Sequence, residues 1–194
     1  MINNFKTSIK NTKHLFKILN ISKKTLTKKQ KKSLNQRGFV IFPPNKYIMN
    51  NLKILNKVTD KLIKIEGHKG GWEGKEKYYK RGKQLEVGAD RLGNLVDKHK
   101  IFRDILLRPE ILAAAFEVIK TDIKISGLNF RNPRKGYGRQ GFHIDWIPRR
   151  KKSQPFSGVV CSTYLNNSNL KNGAVRIVPG THKIIGWPNE HINT

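Results

Sequence analysis

The sequence has a single cysteine, little acid and no long apolar run. Its one thiol, Cys161, excludes an intramolecular disulfide and a multi-cysteine zinc site. No stretch approaches the ~20 apolar residues that a helical membrane span needs. Near the N-terminus, Lys6, Lys10, Lys13 and Lys17 interrupt the apolar residues where a signal peptide would need an unbroken core. Glycine and proline, at 16 and 8 of 194 residues, are too ordinary for a collagen-like or low-complexity chain. No internal repeat is visible. These exclusions leave one soluble domain of modest size, expected in the cytoplasm.

The shortage of acid is uneven. The chain carries 40 Lys+Arg against 13 Asp+Glu, for a formal net charge of +27. The first acidic residue is Asp60, and 14 of the basic residues precede it. Such an arm suits nucleic acid or an anionic membrane surface. A lysine-loving coding bias is the preferred explanation, because Lys, Asn and Ile abound throughout while Ala is scarce. No zinc finger, aromatic-studded strand or DNA-reading helix accompanies the charge, which argues against nucleic acid. Phe5, Ile9, Phe16 and Leu19 stand at near-helical spacing with lysines between them, so residues 1–24 read as a basic helical lead-in. Its apolar face is expected to dock on the domain rather than lie on lipid.

Helix signals come first. Thr27 is placed as an N-cap and Gly38 as a C-terminal stop, with helix formers between them. Ile48, Leu52, Leu55, Leu62 and Ile65 repeat at helical spacing. Glycines among charges at residues 67–83 predict a loop. Phe102–Ile119 reads as helical, with Pro109 opening a fresh helix at a first-turn position. Four short stretches predict strands: Phe39–Phe42, Ile123–Phe130, Val159–Leu165 and Ala174–Val178. Asn172-Gly173 predicts a hairpin turn. Helices first and strands afterwards indicate an α+β chain whose β half is a sandwich or barrel.

The sharpest chemical feature is Gly141-Phe142-His143-Ile144-Asp145-Trp146. On extended backbone, residues two apart face the same side, so His143 and Asp145 present an imidazole and a carboxylate together. Those are two members of the 2-His-1-carboxylate facial triad, which binds Fe(II) and leaves positions open. Asp145 is also the one acidic residue between Asp122 and Glu190. The plain alternative is a solvated pair on an exposed strand.

Wider motifs decide between them. Asn129-Phe130-Arg131-Asn132-Pro133, then Gly136, Gly138 and Gln140, then His143-Ile144-Asp145-Trp146 resembles the phytanoyl-CoA dioxygenase family. Asn172-Gly173-Ala174-Val175-Arg176-Ile177-Val178-Pro179-Gly180-Thr181-His182-Lys183 is similar to that family's NGA-x-R-x-x-PG[ST]HK signature. A weaker similarity runs from Leu26-Thr27-Lys28-Lys29-Gln30 through Gly38-Phe39-Val40-Ile41-Phe42-Pro43.

The resemblance implies a double-stranded β-helix (jelly-roll) core behind N-terminal helices, spanning residues 25–194. It implies an Fe(II)- and 2-oxoglutarate-dependent dioxygenase that hydroxylates a small organic substrate with O2. His143 and Asp145 match two iron ligands. Gln140, Thr163 and Arg131 become candidates to contact 2-oxoglutarate, and Trp146 to wall the pocket. Thr163 fits a packing role equally well, and Arg131 a surface role. The family's third ligand is a histidine on a later strand, followed by an arginine for the far carboxylate of 2-oxoglutarate. His191 follows the Pro179–Lys183 turn too soon to serve. The expectation is therefore a jelly roll incomplete at its C-terminus, with residues 1–194 inactive or nearly so. A basic, non-enzymatic β-domain that binds nucleic acid or anionic lipid is the alternative.

Overall fold

The computed structural model describes residues 8–66, 88–136 and 140–187. The loop expected at 67–83, with His68, falls outside them, as do Phe5, Gly138, Glu190 and His191. Helix α1 spans Thr12–Ile18, α2 Lys28–Arg37 and α3 Lys46–Glu66. Strand β1 (Ala89–Leu92) follows, then α4 (Leu95–Lys98), α5 (Lys100–Leu106), α6 (Pro109–Ile119) and strand β2 (Phe130–Pro133). A 3₁₀ turn at Thr181–Lys183 ends the sequence of elements. No helix among the described residues is long and apolar enough to cross a membrane.

The helices begin and end where local chemistry dictates. Thr27 Oγ1 accepts the Gln30 amide at 3.2 Å, and the Gln30 side chain accepts the Thr27 amide at 2.8 Å. That reciprocal capping box satisfies two donors with no partner inside the helix. Gly38 terminates α2 at φ +83°, the left-handed conformation a glycine adopts without steric cost. Asn45 Oδ1 accepts the Ile48 amide at 2.9 Å and starts α3. Pro109 sits in the first turn of α6, where its missing N–H leaves no bond unmade. The break between α5 and α6 falls just before that proline.

Two apolar clusters sit within the helical layer. One joins α3, β1, α4 and α5 through Ile48, Leu55, Leu92, Leu95 and Phe102, with Leu128 and Leu165 packed against it. The other joins α1, α2 and α6 through Leu34, Leu112, Ala113 and Ala114, with Phe16, Val40 and Phe42 alongside. The lead-in helix α1 docks as its apolar spacing predicts. Phe16 meets Phe116 edge-to-face at 5.2 Å, and the Thr12 amide donates to Asp122 Oδ1 at 2.9 Å. Ile9, by contrast, stays about half exposed.

The β half departs from the sequence-based expectation. Among the described residues the sheet has two antiparallel strands, β1 and β2, with Arg91 opposite Arg131 and Asp90 opposite Asn132. Phe39–Phe42, Val159–Leu165 and Ala174–Val178 form no strand, and Ile123–Phe130 contributes only its last residue. The alternation is present only in part, since Val159 and Val160, and Val175, Ile177 and Val178, are exposed together. Val40 and Phe42 pack inward while Ile41 is 80% exposed, and Leu165 packs inward while Val160 and Tyr164 face out. Alternation records which side chains face the core. A strand also needs a neighbour to pair its N–H and C=O groups, and period-two patterning carries no information about that neighbour. The observed architecture is therefore a mixed helical layer with a small sheet. Strand β1 went unpredicted because Ala-Asp-Arg-Leu lacks β-branched and aromatic residues.

Leu55 is fully buried at the centre of the first cluster. Leu55→Ala is expected to destabilise the chain by ~2–5 kcal/mol through lost transfer energy and an unfilled cavity. Urea denaturation would show this as a lower midpoint at unchanged slope.

Candidate functional site

Gly141–Trp146 runs as irregular, exposed backbone with no helix or strand assignment. His143 Nδ1 lies 2.8 Å from the Gly141 carbonyl oxygen. A carbonyl only accepts, so Nδ1 carries a proton. Nε2 lies 3.4 Å from Asp145 Oδ1. The two-residue spacing thus brings imidazole and carboxylate together. A single cation at ordinary coordination distances of ~2.1 Å touches both atoms at this separation. A metal-bound histidine ordinarily donates its other ring N–H to a carbonyl or carboxylate, as His143 does to Gly141. The pair stands open to solvent, with side chains 50% and 58% exposed. Among the described residues no group of three His, Cys, Asp or Glu side chains is placed to hold a metal.

The other candidates occupy different positions. Gln140 is exposed, three residues ahead of His143. Arg131 is half-buried on β2 opposite Arg91. Thr163 is half-buried and shares the inward face of its extended segment with Leu165, which packs on the first cluster. Trp146 is 47% exposed and lies over Gly158, where a β-carbon would come within 2.9 Å of the indole. Gly158 is the residue that lets this ring seat. The Arg176 guanidinium lies 5.4 Å above the Phe142 ring, beside His143 in sequence, and so brings the Asn172–Lys183 block to the ligand segment.

A part-buried polar clasp, invisible in the sequence as a unit, secures this half of the chain. The Gly180 amide donates to the Arg37 carbonyl at 2.9 Å, at the C-terminal end of α2. His182 Nε2 donates to the Asn35 carbonyl at 3.1 Å, so its Nδ1 is an acceptor. That Nδ1 is buried without a partner against Gly38, whose Cα has no room for a methyl group. Arg149 donates to the His182 carbonyl at 3.1 Å and stacks 4.2 Å above Phe156. Phe156 in turn lies beside the His182 ring, with centroids 6.1 Å apart. In sequence Arg149 is one cation within Arg149-Arg150-Lys151-Lys152, and nothing local sets it apart. Neighbouring Phe156 is the only hint, because an arginine near an aromatic has a face to stack on.

Burial holds the His182 imidazole below its ordinary range, aided by the positive charges of Lys183 and Arg149 and opposed by the Asn35 carbonyl. The folded state therefore binds fewer protons than the unfolded one just below the ordinary histidine value. Stability rises with pH through that window and is lost as pH falls through it. Denaturation at a series of pH values from ~8 down to ~5 should show that decline, and His182→Gln should flatten it relative to the parent. Gly38→Ala should cost at least ~1–2 kcal/mol from backbone conformation alone, before its overlap with His182 is counted. The same denaturation assay reads both.

The profile of the phytanoyl-CoA dioxygenase family (PhyH) matches residues 68–191, more than half of the chain. The match includes the His143–Asp145 segment and the Asn172–Lys183 block, and begins after the Leu26–Pro43 block. No curated protein and no solved structure matches significantly.

Proposed function

The chain belongs to the phytanoyl-CoA dioxygenase family, and on that footing we propose that it is an Fe(II)- and 2-oxoglutarate-dependent oxygenase acting on a small organic substrate, with His143 and Asp145 as two of its iron ligands. The observation that carries the reading is the approach of His143 Nε2 to Asp145 Oδ1, 3.4 Å apart. Nitrogen and carboxylate oxygen are donors that ferrous iron accepts, and one cation reaches both at that separation.

Bound iron supplies the activation of O2 and the oxidation of a C–H bond, with 2-oxoglutarate converted to succinate and CO2. The protein's part is placement. The Gly141 carbonyl accepts from Nδ1, which makes Nε2 the coordinating atom. Asp145 contributes an anionic oxygen that offsets the charge of the metal. Arg176 over Phe142 steadies the segment that carries both ligands. Gln140, Thr163 and Arg131 are proposed to contact the cosubstrate, Arg131 through a two-pronged hydrogen bond to a carboxylate. A third iron donor is proposed to come from outside the described residues, because two donors alone hold Fe(II) weakly. A jelly-roll core within a dioxygenase domain over residues 25–194, behind the lead-in of residues 1–24, belongs to the same proposal. A cytoplasmic location is part of the same reading.

Titration with Fe(II) under anaerobic conditions, or with Co(II) followed by its visible absorption, tests the ligand assignment. Asp145→Asn and His143→Ala should each weaken binding by at least ~10-fold, with far-UV circular dichroism unchanged. Equal affinity in the parent and both variants would overturn it.

A further inference from the structure

Helices α1, α2 and α6 border an open groove that the iron reading does not use. It consists of two adjoining hollows of about 330 and 460 Å³ that share Lys23, Leu26 and Lys31. One hollow is rimmed by cations: Lys23, Lys24, Lys28 and Lys31. The other is floored by Phe16, Ile21, Ala113 and Phe116, the two rings meeting edge-to-face. Glu117 is the one acid in the lining, and it is already engaged, 2.6 Å from Lys120 and 3.9 Å from Lys31. Lys31 is also anchored, donating to the Lys23 carbonyl at 3.0 Å. Lys23, Lys24 and Lys28 have no acidic partner among the described residues.

Lysines gather beside a part-buried apolar floor. The first turn of α2 contains Lys28 and Lys29 and no acid, so the helix's own positive end adds to the mutual repulsion of the lysines. An anion on the rim relieves that repulsion, and an apolar chain in the second hollow removes water from the aromatic floor. Each hollow falls within the ~300–1,000 Å³ typical of small-molecule sites. The apolar residues are sunk beneath the lysines, Ile21 at 8% and Leu26 at 4% exposure. A bilayer surface needs apolar residues that project, so the recess selects a free molecule that inserts its own tail.

We infer that the groove between α1, α2 and α6 binds a single-chain anionic amphiphile, with a phosphate or carboxylate head on Lys23, Lys24 and Lys28 and an acyl tail over Phe16 and Phe116. The inference is independent of the iron assignment, because it uses neither His143 nor Asp145.

Calorimetric titration of the full chain with octyl phosphate, kept below its micelle-forming concentration, tests it. Saturable binding is expected, weakening as salt rises. It should fall at least ~10-fold in the Lys23→Gln/Lys24→Gln/Lys28→Gln variant, whose three exposed positions leave both clusters untouched. Inorganic phosphate and octanol should each bind at least ~10-fold more weakly than octyl phosphate, since each keeps only half of the recognition. Three results overturn the proposal. Inorganic phosphate binding as tightly as octyl phosphate would mean that the floor is idle. Unchanged affinity in the triple variant would mean that the rim is idle. Retention on phosphatidylserine vesicles without octyl phosphate binding would make the surface a membrane contact instead.

Discussion

The extended half of this chain depends on a few polar contacts with α2. In a full sheet, neighbouring strands would pair the backbone N–H and C=O groups of residues 140–187. Among the described residues that half contributes no strand, so its position is set by other means. The Gly180 amide and the His182 ring both donate to carbonyls in the last turn of α2, groups that every helix leaves without an internal partner. One set of orphaned groups satisfies another. Gly38 makes this possible, because it ends α2 in the left-handed conformation and presents no β-carbon to the imidazole. Arg149 then ties His182 to Phe156 and carries the chain back toward the ligand segment.

The same economy explains the candidate metal site. His143 and Asp145 meet because their backbone is extended and they are two residues apart, a requirement that survives without a regular strand. The proton on Nδ1 is fixed within the segment by Gly141, so one donor atom is preset by local geometry alone. Enclosure is a different matter. A dry pocket strengthens every charge interaction in it, and it is built from distant parts of a chain. Here the pair is half-exposed, so local sequence has supplied the donors and their orientation while the wall around them is a tertiary property.

That division also describes how much the sequence revealed. Thr27, Gly38 and Pro109 were legible because caps and stops are decided by one residue and its nearest amides. The α3 stripe was legible because Ile48, Leu52, Leu55 and Leu62 share one helical face, whereas Ile65 stands 59% exposed. Strands were overcalled where inward and outward residues alternate, as at Val40, Ile41 and Phe42, and β1 was missed where Ala89–Leu92 has no β-forming side chain. Pairing is a relation between segments, and neither segment announces it. Arg149 was unreadable for a similar reason: its partners are three backbone carbonyls and a ring, and only the fold gathers them. Within the candidate site, His143 and Asp145 were readable as a pair, whereas the placement of Thr163 beside Leu165 follows from packing on a distant helix.

Helix α2 gives the molecule a common frame. Its 10 residues extend about 15 Å at the usual rise per residue. Lysines before and within its first turns rim the groove, while its final carbonyls and Gly38 receive the C-terminal block. The two ends differ in kind. The leading end gathers positive charge that no acidic side chain among the described residues offsets beyond Glu117. The trailing end has its carbonyls occupied and its imidazole kept neutral by burial and by nearby cations. Helix α2, which anchors the extended half, carries five of the chain's 40 basic residues. Loss of the Thr27 capping box would therefore loosen both ends together, since helix formation is cooperative along so short a segment.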